Sequence, residues 1–287
     1  MKIFLNNLIK SCRIVIEISL LEQGNTCDII KKKGNRMKNH KIVVQFDGSR
    51  YKGWQKLKDN DLSIQEKIET VLSKMTGEEI QVIGCGRTDA GTHAENYVAN
   101  FHTNSNRSPK LILNYFYEFL PEDIVVKSVE EVHERFHAQH NVKSKTYVYS
   151  ITKGKFRNVF NRKYSFHSEE KLDLVQMRNA AEYLVGTHDF QSFTSLKEGP
   201  KSTIRTINSL DVVENGMVIE IVINCNDFLL HMARLIVGIL LEVGKGKIKA
   251  ADVQKILDDK KYTGTIPLAQ PKGLCLRAVE YNPVVEI

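Results

Sequence analysis

The run Gly86-Arg87-Thr88-Asp89-Ala90-Gly91-Thr92-His93-Ala94 constrains this chain more than any other segment. A strand-like stretch, Ile80-Gln81-Val82-Ile83, leads into it, and a second, Tyr97-Val98-Ala99-Asn100-Phe101, leads out. The pattern is strand, tight Ala-Gly turn, strand. It requires a sheet that holds one carboxylate on a short loop, fixed by the scaffold yet open to a ligand. Arg87 stands two residues away and can hold Asp89 ionised by charge pairing. A positioned, ionised carboxylate is what nucleophilic catalysis by Asp needs. An Asp in a turn also occurs with no chemistry attached, so the spacing alone leaves both readings open.

The surrounding elements predict an α+β fold. A strand at 41–47 precedes a helix at about 63–76, which opens on the capping box Ser63-Ile64-Gln65-Glu66 and buries Ile64, Ile68, Val71 and Leu72. Strands at about 80–87 and 96–103 flank the Asp89 loop. A helix through Leu111, Leu113, Tyr115 and Phe119 stops before Pro121. Further along come a strand at 146–151, a helix at about 172–185, and strands near 204–213 and 217–224 joined at Glu214-Asn215-Gly216, a hairpin signal. A largely apolar helix at about 229–243, a shorter one from Ala250 to Asp258 and a strand from Leu274 to Glu280 complete the series. Strands and helices interleave, but hairpins are present, so a mixed α+β sheet fits better than a doubly wound one.

At 42% hydrophobic and 26% charged, the composition is that of an ordinary globular protein. The net charge of +7 favours a polyanionic partner without proving one. The cysteines, Cys12, Cys27, Cys85, Cys225 and Cys275, are odd in number and form no C-x-x-C pair. That argues for a reducing, cytoplasmic setting and against a disulfide frame or zinc knuckle. No run reaches the length of a membrane span, and the N-terminal apolar patches are interrupted by Asn6, Asn7, Lys10 and Arg13.

Residues 1–39 differ from the rest and end in the basic run Lys31-Lys32-Lys33-Gly34-Asn35-Arg36, followed by Met37. They are expected to form an extension outside the fold, with Met37 as a possible true start. The remainder divides into 40–143, which carries the Asp loop, and 144–287.

Arg234 is a second clue. It lies in Met232-Ala233-Arg234-Leu235-Ile236-Val237-Gly238-Ile239-Leu240-Leu241, a helix apolar on nearly every face and therefore expected to be buried. A buried guanidinium needs a carboxylate or phosphate partner; an Arg at a helix start can also escape to solvent.

Five ordered blocks give the chain a resemblance to a known family. The loop differs only at Thr92 from the pattern G-R-T-D-A-G-V-H-A. Phe46-Asp47-Gly48-Ser49-Arg50-Tyr51-Lys52-Gly53-Trp54-Gln55 resembles Y-D-G-x-x-Y-x-G-W-Q. Phe136-His137-Ala138 with Lys145-Thr146-Tyr147-Val148-Tyr149 resembles F-H-A-R and K-x-Y-x-Y. Phe228-Leu229-Leu230-His231-Met232-Ala233-Arg234-Leu235-Ile236-Val237-Gly238 resembles F-L-x-H-M-V-R-N-I-V-G, and Gly273-Leu274-Cys275-Leu276 the closing G-L-x-L. Over about Lys41 to Tyr281 the chain is similar to the tRNA pseudouridine synthase A family.

That resemblance implies two similar α/β halves forming one extended, mostly antiparallel sheet, with helices on one face and a central basic cleft. It implies isomerisation of uridine to pseudouridine on the 3′ side of the tRNA anticodon stem-loop by a homodimer, with no cofactor and no metal. It makes Asp89 the nucleophile, paired with Arg234, and Tyr147 the active-site tyrosine. Arg87, Leu274, His137 and Tyr51 are expected to bind substrate. Thr92, Glu95-Asn96, Gln139, Ala233 and Leu235 depart from the family pattern around the loop and its partner helix, so a paralogue acting on another structured RNA, such as ribosomal RNA, is an alternative. An RNA-binding protein without activity is a further one, opposed by the intact Asp89, Tyr147, Arg234 and Leu274 set. His133-Glu134-Arg135-Phe136-His137 fits H-E-x-x-H, and Val125, Val129, Val132 and Phe136 have helical spacing, so a zinc metallopeptidase is the remote reading. It lacks the further histidine in the usual place.

Overall fold

The structure, a computed structural model, describes residues 37–58, 62–196, 199 and 202–283. Ten strands form one sheet in the order β4-β1-β3-β10-β5-β9-β8-β7, with β2 pairing β3 and β6 pairing β5. The strands are β1 (Lys38–Phe46), β2 (Val82–Gly84), β3 (His93–Thr103), β4 (Ile124–Val132), β5 (Val142–Lys153), β6 (Phe166–Ser168), β7 (Gly186–Asp189), β8 (Ile204–Asn215), β9 (Val218–Cys225) and β10 (Leu274–Tyr281). Pairing is antiparallel except between β3 and β10 and between β5 and β6.

Helices α1 (Ile64–Thr76) and α2 (Pro109–Phe119) pack on each other, as do α3 (Leu174–Glu182) and α4 (Met232–Gly244); α5 (Asp252–Asp258) follows. The Ser63 side chain accepts the Glu66 N–H and starts α1, whose buried positions include Ile64, Ile68, Val71 and Leu72. Helix α2 starts at Ser108-Pro109 and buries Ile112 and Phe116, while Leu111 and Phe119 stay exposed. Alternate residues of β1, Ile42, Val44 and Phe46, join the main core with these helices. Val43 and Val98 face the other way and meet Phe136 and Ala138 in a small second cluster.

The N-terminal boundary differs from the expected one. Residues 1–36 lie outside the described residues, but β1 already begins at Lys38. Asn39 is 2% exposed. Its amide donates to the carbonyls of His133 and Phe136, and its Oδ1 accepts from Asn100. It is part of the sheet, and the extension cannot run to residue 39.

The segment of the H-E-x-x-H pattern is not helical. Ile124–Val132 is strand β4, paired with β1, and 133–137 is a turn. The two histidines therefore do not share a helix face, and no group of three possible metal ligands occurs among the described residues.

Candidate active site

The Asp89 loop leaves β2 at Gly84 and enters β3 at His93. The Thr92 N–H donates to the Asp89 carbonyl, closing a four-residue turn in which Gly91 has φ +77. That left-handed value suits Gly at the third position of the turn. The segment 47–55 wraps the loop from behind. Gly53, at φ +97, lies so close that an added Cβ would stand 2.2 Å from the Thr88 carbonyl oxygen. The Gly91 N–H donates to the Tyr51 carbonyl, and the Gly48 N–H donates to His93 Nδ1. The resembling motif at 46–55 is thus a cradle for the loop.

Across the loop stands the first turn of α4. Arg234 Nη1 donates to Asp89 Oδ2 at 2.9 Å, with side chains 13% and 20% exposed. Arg234 Nε donates to the Ala269 carbonyl at 2.7 Å, and the Ala269 N–H donates to the Arg234 carbonyl. The first of these bonds aims the guanidinium at the acid, and the second holds the backbone that carries it. His231 Nε2 lies 3.8 Å from the same Oδ2. Both partners approach the same oxygen, Oδ2.

The cleft between loop and helix has a volume of about 500 Å³, within the usual range for ligand sites. Arg87, Asp89, Tyr147, Arg234 and Leu274 all line it. Four Lys/Arg side chains, Arg87, Lys145, Arg205 and Arg234, share its walls with two acids, Asp89 and Asp227. Lys145 Nζ holds Asp227 Oδ1 at 2.7 Å. A larger hollow of about 950 Å³ lies beside α1 and contains none of these residues. Its buried acid, Glu69, is already engaged by Gln65 Nε2, the Val82 N–H and Lys56.

Tyr147 and Tyr149 are two residues apart on β5 and share a face. Tyr149 is sealed in the core, whereas Tyr147 reaches the cleft wall and meets Phe228 edge-on at 4.9 Å. Burial, and then nearby negative groups including Asp89, push the Tyr147 phenol well above its ordinary range. It stays protonated at neutral pH, so it can present a flat neutral ring and an O–H.

Two expected substrate contacts lie elsewhere. Tyr51 is 2% exposed, and its hydroxyl donates to Asp123 Oδ1. It supports the loop from behind rather than lining the cleft. His137 Nδ1 accepts from the N–H groups of Gln139 and His140 and so shapes a turn, while Gln139 reaches the cleft. Sequence reading gave no role to His231, although it stands inside a quoted block. Its signal is structural, a positive φ of 63 at the residue preceding α4.

A family model described as tRNA pseudouridine synthase matches residues 42–141 and 180–282. A Clostridium tetani protein named tRNA pseudouridine synthase A 1 is 59% identical over 245 residues, covering 85% of this chain and 100% of that protein. A Bacillus cereus protein named tRNA pseudouridine synthase A 2 is 46% identical over 245 residues, with the same 85% and 100% coverage. A Clostridium acetobutylicum protein named tRNA pseudouridine synthase A is 42% identical, again over 85% of this chain and 100% of its own length.

Proposed function

The chain belongs to the tRNA pseudouridine synthase A family, and from that premise we propose that it isomerises uridine to pseudouridine in tRNA, on the 3′ side of the anticodon stem-loop. The bond from N1 of uracil to C1′ of the ribose breaks, the base turns, and C1′ joins C5. The proton on C5 leaves and N1 gains one, so the atoms balance without an outside group. Asp89 is the nucleophile, adding through Oδ1 to C6 of the base or to C1′ of the sugar. Arg234 pairs with it from the Oδ2 side. Tyr147 stacks on the base and its phenol can pass a proton; Leu274 packs against the uracil. Arg87, exposed at the cleft mouth, takes a phosphate or fills the gap left in the stack.

The observation that carries this reading is the 2.9 Å pair of Asp89 and Arg234 in a cleft shared with Tyr147 and Leu274. Everting the uridine costs a few kcal/mol, which contacts from Lys and Arg to the RNA backbone offset, so binding weakens steeply with added salt. The test is to incubate the protein with a tRNA transcript and with total RNA from a strain lacking it, then map pseudouridines chemically. New pseudouridine in the anticodon arm, absent with Asp89→Asn, is the expected result. No product from either RNA defeats the reading.

Modification of another structured RNA is the second reading. It is favoured by three departures from the family pattern, Thr92, Gln139 and Ala233, that line the cleft. Sites found only in ribosomal RNA would select it. The protein works as a homodimer in this proposal, and light scattering on the purified protein measures that mass. The exposed Phe156 and Phe160 offer apolar surface outside the cleft for such an interface.

A further inference from the structure

His231 has three properties that its place at a helix start does not explain. Its backbone sits at φ 63 and ψ 2, a left-handed conformation, and its side chain makes no capping bond to α4. A residue at that position normally adopts an extended backbone and caps the helix with its side chain. Holding a non-glycine residue in the left-handed region is unfavourable, and glycine would sit there without that cost.

The ring is held at its far nitrogen. Ser195 Oγ lies 2.7 Å from His231 Nδ1. When the Ser195 hydroxyl donates to Nδ1, the proton of the neutral ring resides on Nε2. The opposite tautomer would aim a lone pair at a carboxylate. Nε2 lies 3.8 Å from Asp89 Oδ2, in a ring that lines the cleft with 30% of its side chain exposed. That distance is longer than a hydrogen bond, and contacts of this kind tighten when substrate fills the site.

Building on the pseudouridine synthase reading, we infer that His231 is a positioning residue for Asp89. Ser195 fixes the ring, and its Nε2–H and the Arg234 guanidinium converge on Oδ2. The carboxylate is thereby stopped from rotating, and Oδ1 stays turned toward the bound uridine. The strained backbone is what places the ring between Ser195 and the acid.

The test compares kcat, KM and melting temperature for the full-length wild type, Asp89→Asn, His231→Gly, His231→Gln and Ser195→Ala on one tRNA transcript. His231→Gly relieves the backbone, so its melting temperature equals or exceeds that of the wild type. Its kcat falls about ten- to a hundredfold, the loss of one hydrogen bond to a charged group, while KM stays within about twofold. His231→Gln returns an N–H donor near the Nε2 position and recovers part of the rate. Ser195→Ala loses less than His231→Gly. A His231→Gly enzyme with wild-type kcat, beside an inactive Asp89→Asn, overturns the inference and leaves the functional reading intact. A kcat loss matched by loss of folded protein assigns His231 to structure alone and also overturns it. Wild-type protein that makes no pseudouridine defeats the functional reading, and the inference with it.

Discussion

Arg234 and Asp89 are 145 residues apart in the chain, yet Nη1 and Oδ2 are 2.9 Å apart in the fold. One comes from a helix after β9, the other from the loop between β2 and β3. The sheet joins them through β10, whose Cys275 and Leu276 pair with His93 and Ala94 on one side while its length pairs with β5 on the other.

Arg234 is expected to act through its geometry as well as its charge. Arg234→Gln lowers kcat by roughly a hundredfold or more, the scale of removing a fixed charge-stabilising donor. Arg234→Lys recovers only part of it, because one ammonium cannot reproduce the planar fork that serves Ala269 and Asp89 together. Single-turnover rates on a tRNA transcript measure both; equal rates for the Lys variant and the wild type contradict the geometric argument.

Gly53→Ala tests the cradle. The added Cβ meets the Thr88 carbonyl at 2.2 Å, and φ +97 is itself unfavourable for alanine. The loop must shift or the backbone must change. A loss of about 2 kcal/mol or more is expected, with activity falling further than stability because the displaced segment carries Asp89. Urea unfolding beside steady-state rates separates the two.

Alkaline pH exposes Tyr147. Its folded pKa is raised, mainly by burial, above the ordinary value of 10.0. The stabilisation is whole below that ordinary value and is lost as pH climbs toward the folded value, since the unfolded chain ionises first. Tyr97 is raised in the same direction and remains in either protein. Tyr147→Phe should therefore show a shallower, but not flat, decline of the urea midpoint between about pH 9 and 11. Identical slopes count against the burial argument.

Acid acts through His93. Burial is the main reason its pKa lies below the ordinary 6.5, although Asp47 pulls the other way. The neutral ring accepts from the Gly48 N–H and donates from Nε2 to the Lys163 carbonyl. The unfolded chain binds the proton first on acidification, so stability is present above 6.5 and falls as pH drops toward the folded value. His93→Asn does not titrate and should flatten part of that slope; His40 and His137, both also lowered by burial, contribute to what remains. Thermal melts from pH 8 to 5 supply the comparison.

What the sequence revealed and hid follows from how local each cause is. The capping serine of α1, the Gly216 turn between β8 and β9, and the apolar α4 are all set by neighbouring residues, and all appear where the pattern places them. Strand β4 was obscured by a bulge. Val43 and Val44 of β1 pair with Ser128 and Val126, skipping Lys127. The buried side then runs Ile124, Val126, Val129, and the shifted phase imitates helical spacing. Short β6 and β7 carry too few residues for a periodic signal.

The site divides along the same line. The Asp89 turn was legible because its geometry is local. The Arg234 partnership rested on resemblance, because no spacing rule spans that much chain. Tyr51 and His137 stand in the resembling blocks but do not line the cleft; the Tyr51 hydroxyl donates to Asp123 and the His137 ring accepts within a turn, positions that a motif does not distinguish from touching a ligand. His231 was hidden because a left-handed backbone leaves no mark on an ordinary residue.

Strand β10 follows the other nine strands in the chain and lies between two of them, β3 and β5. A ribosome releases Leu274 to Tyr281 after every strand they must join. Take β10 away and the strand order falls into two groups that no other pairing joins, one ending at β3 and one at β5. The last strand to be synthesised is thus the one that links the sheet carrying the Asp89 loop to the sheet carrying Tyr147, and its first residue, Leu274, lines the cleft.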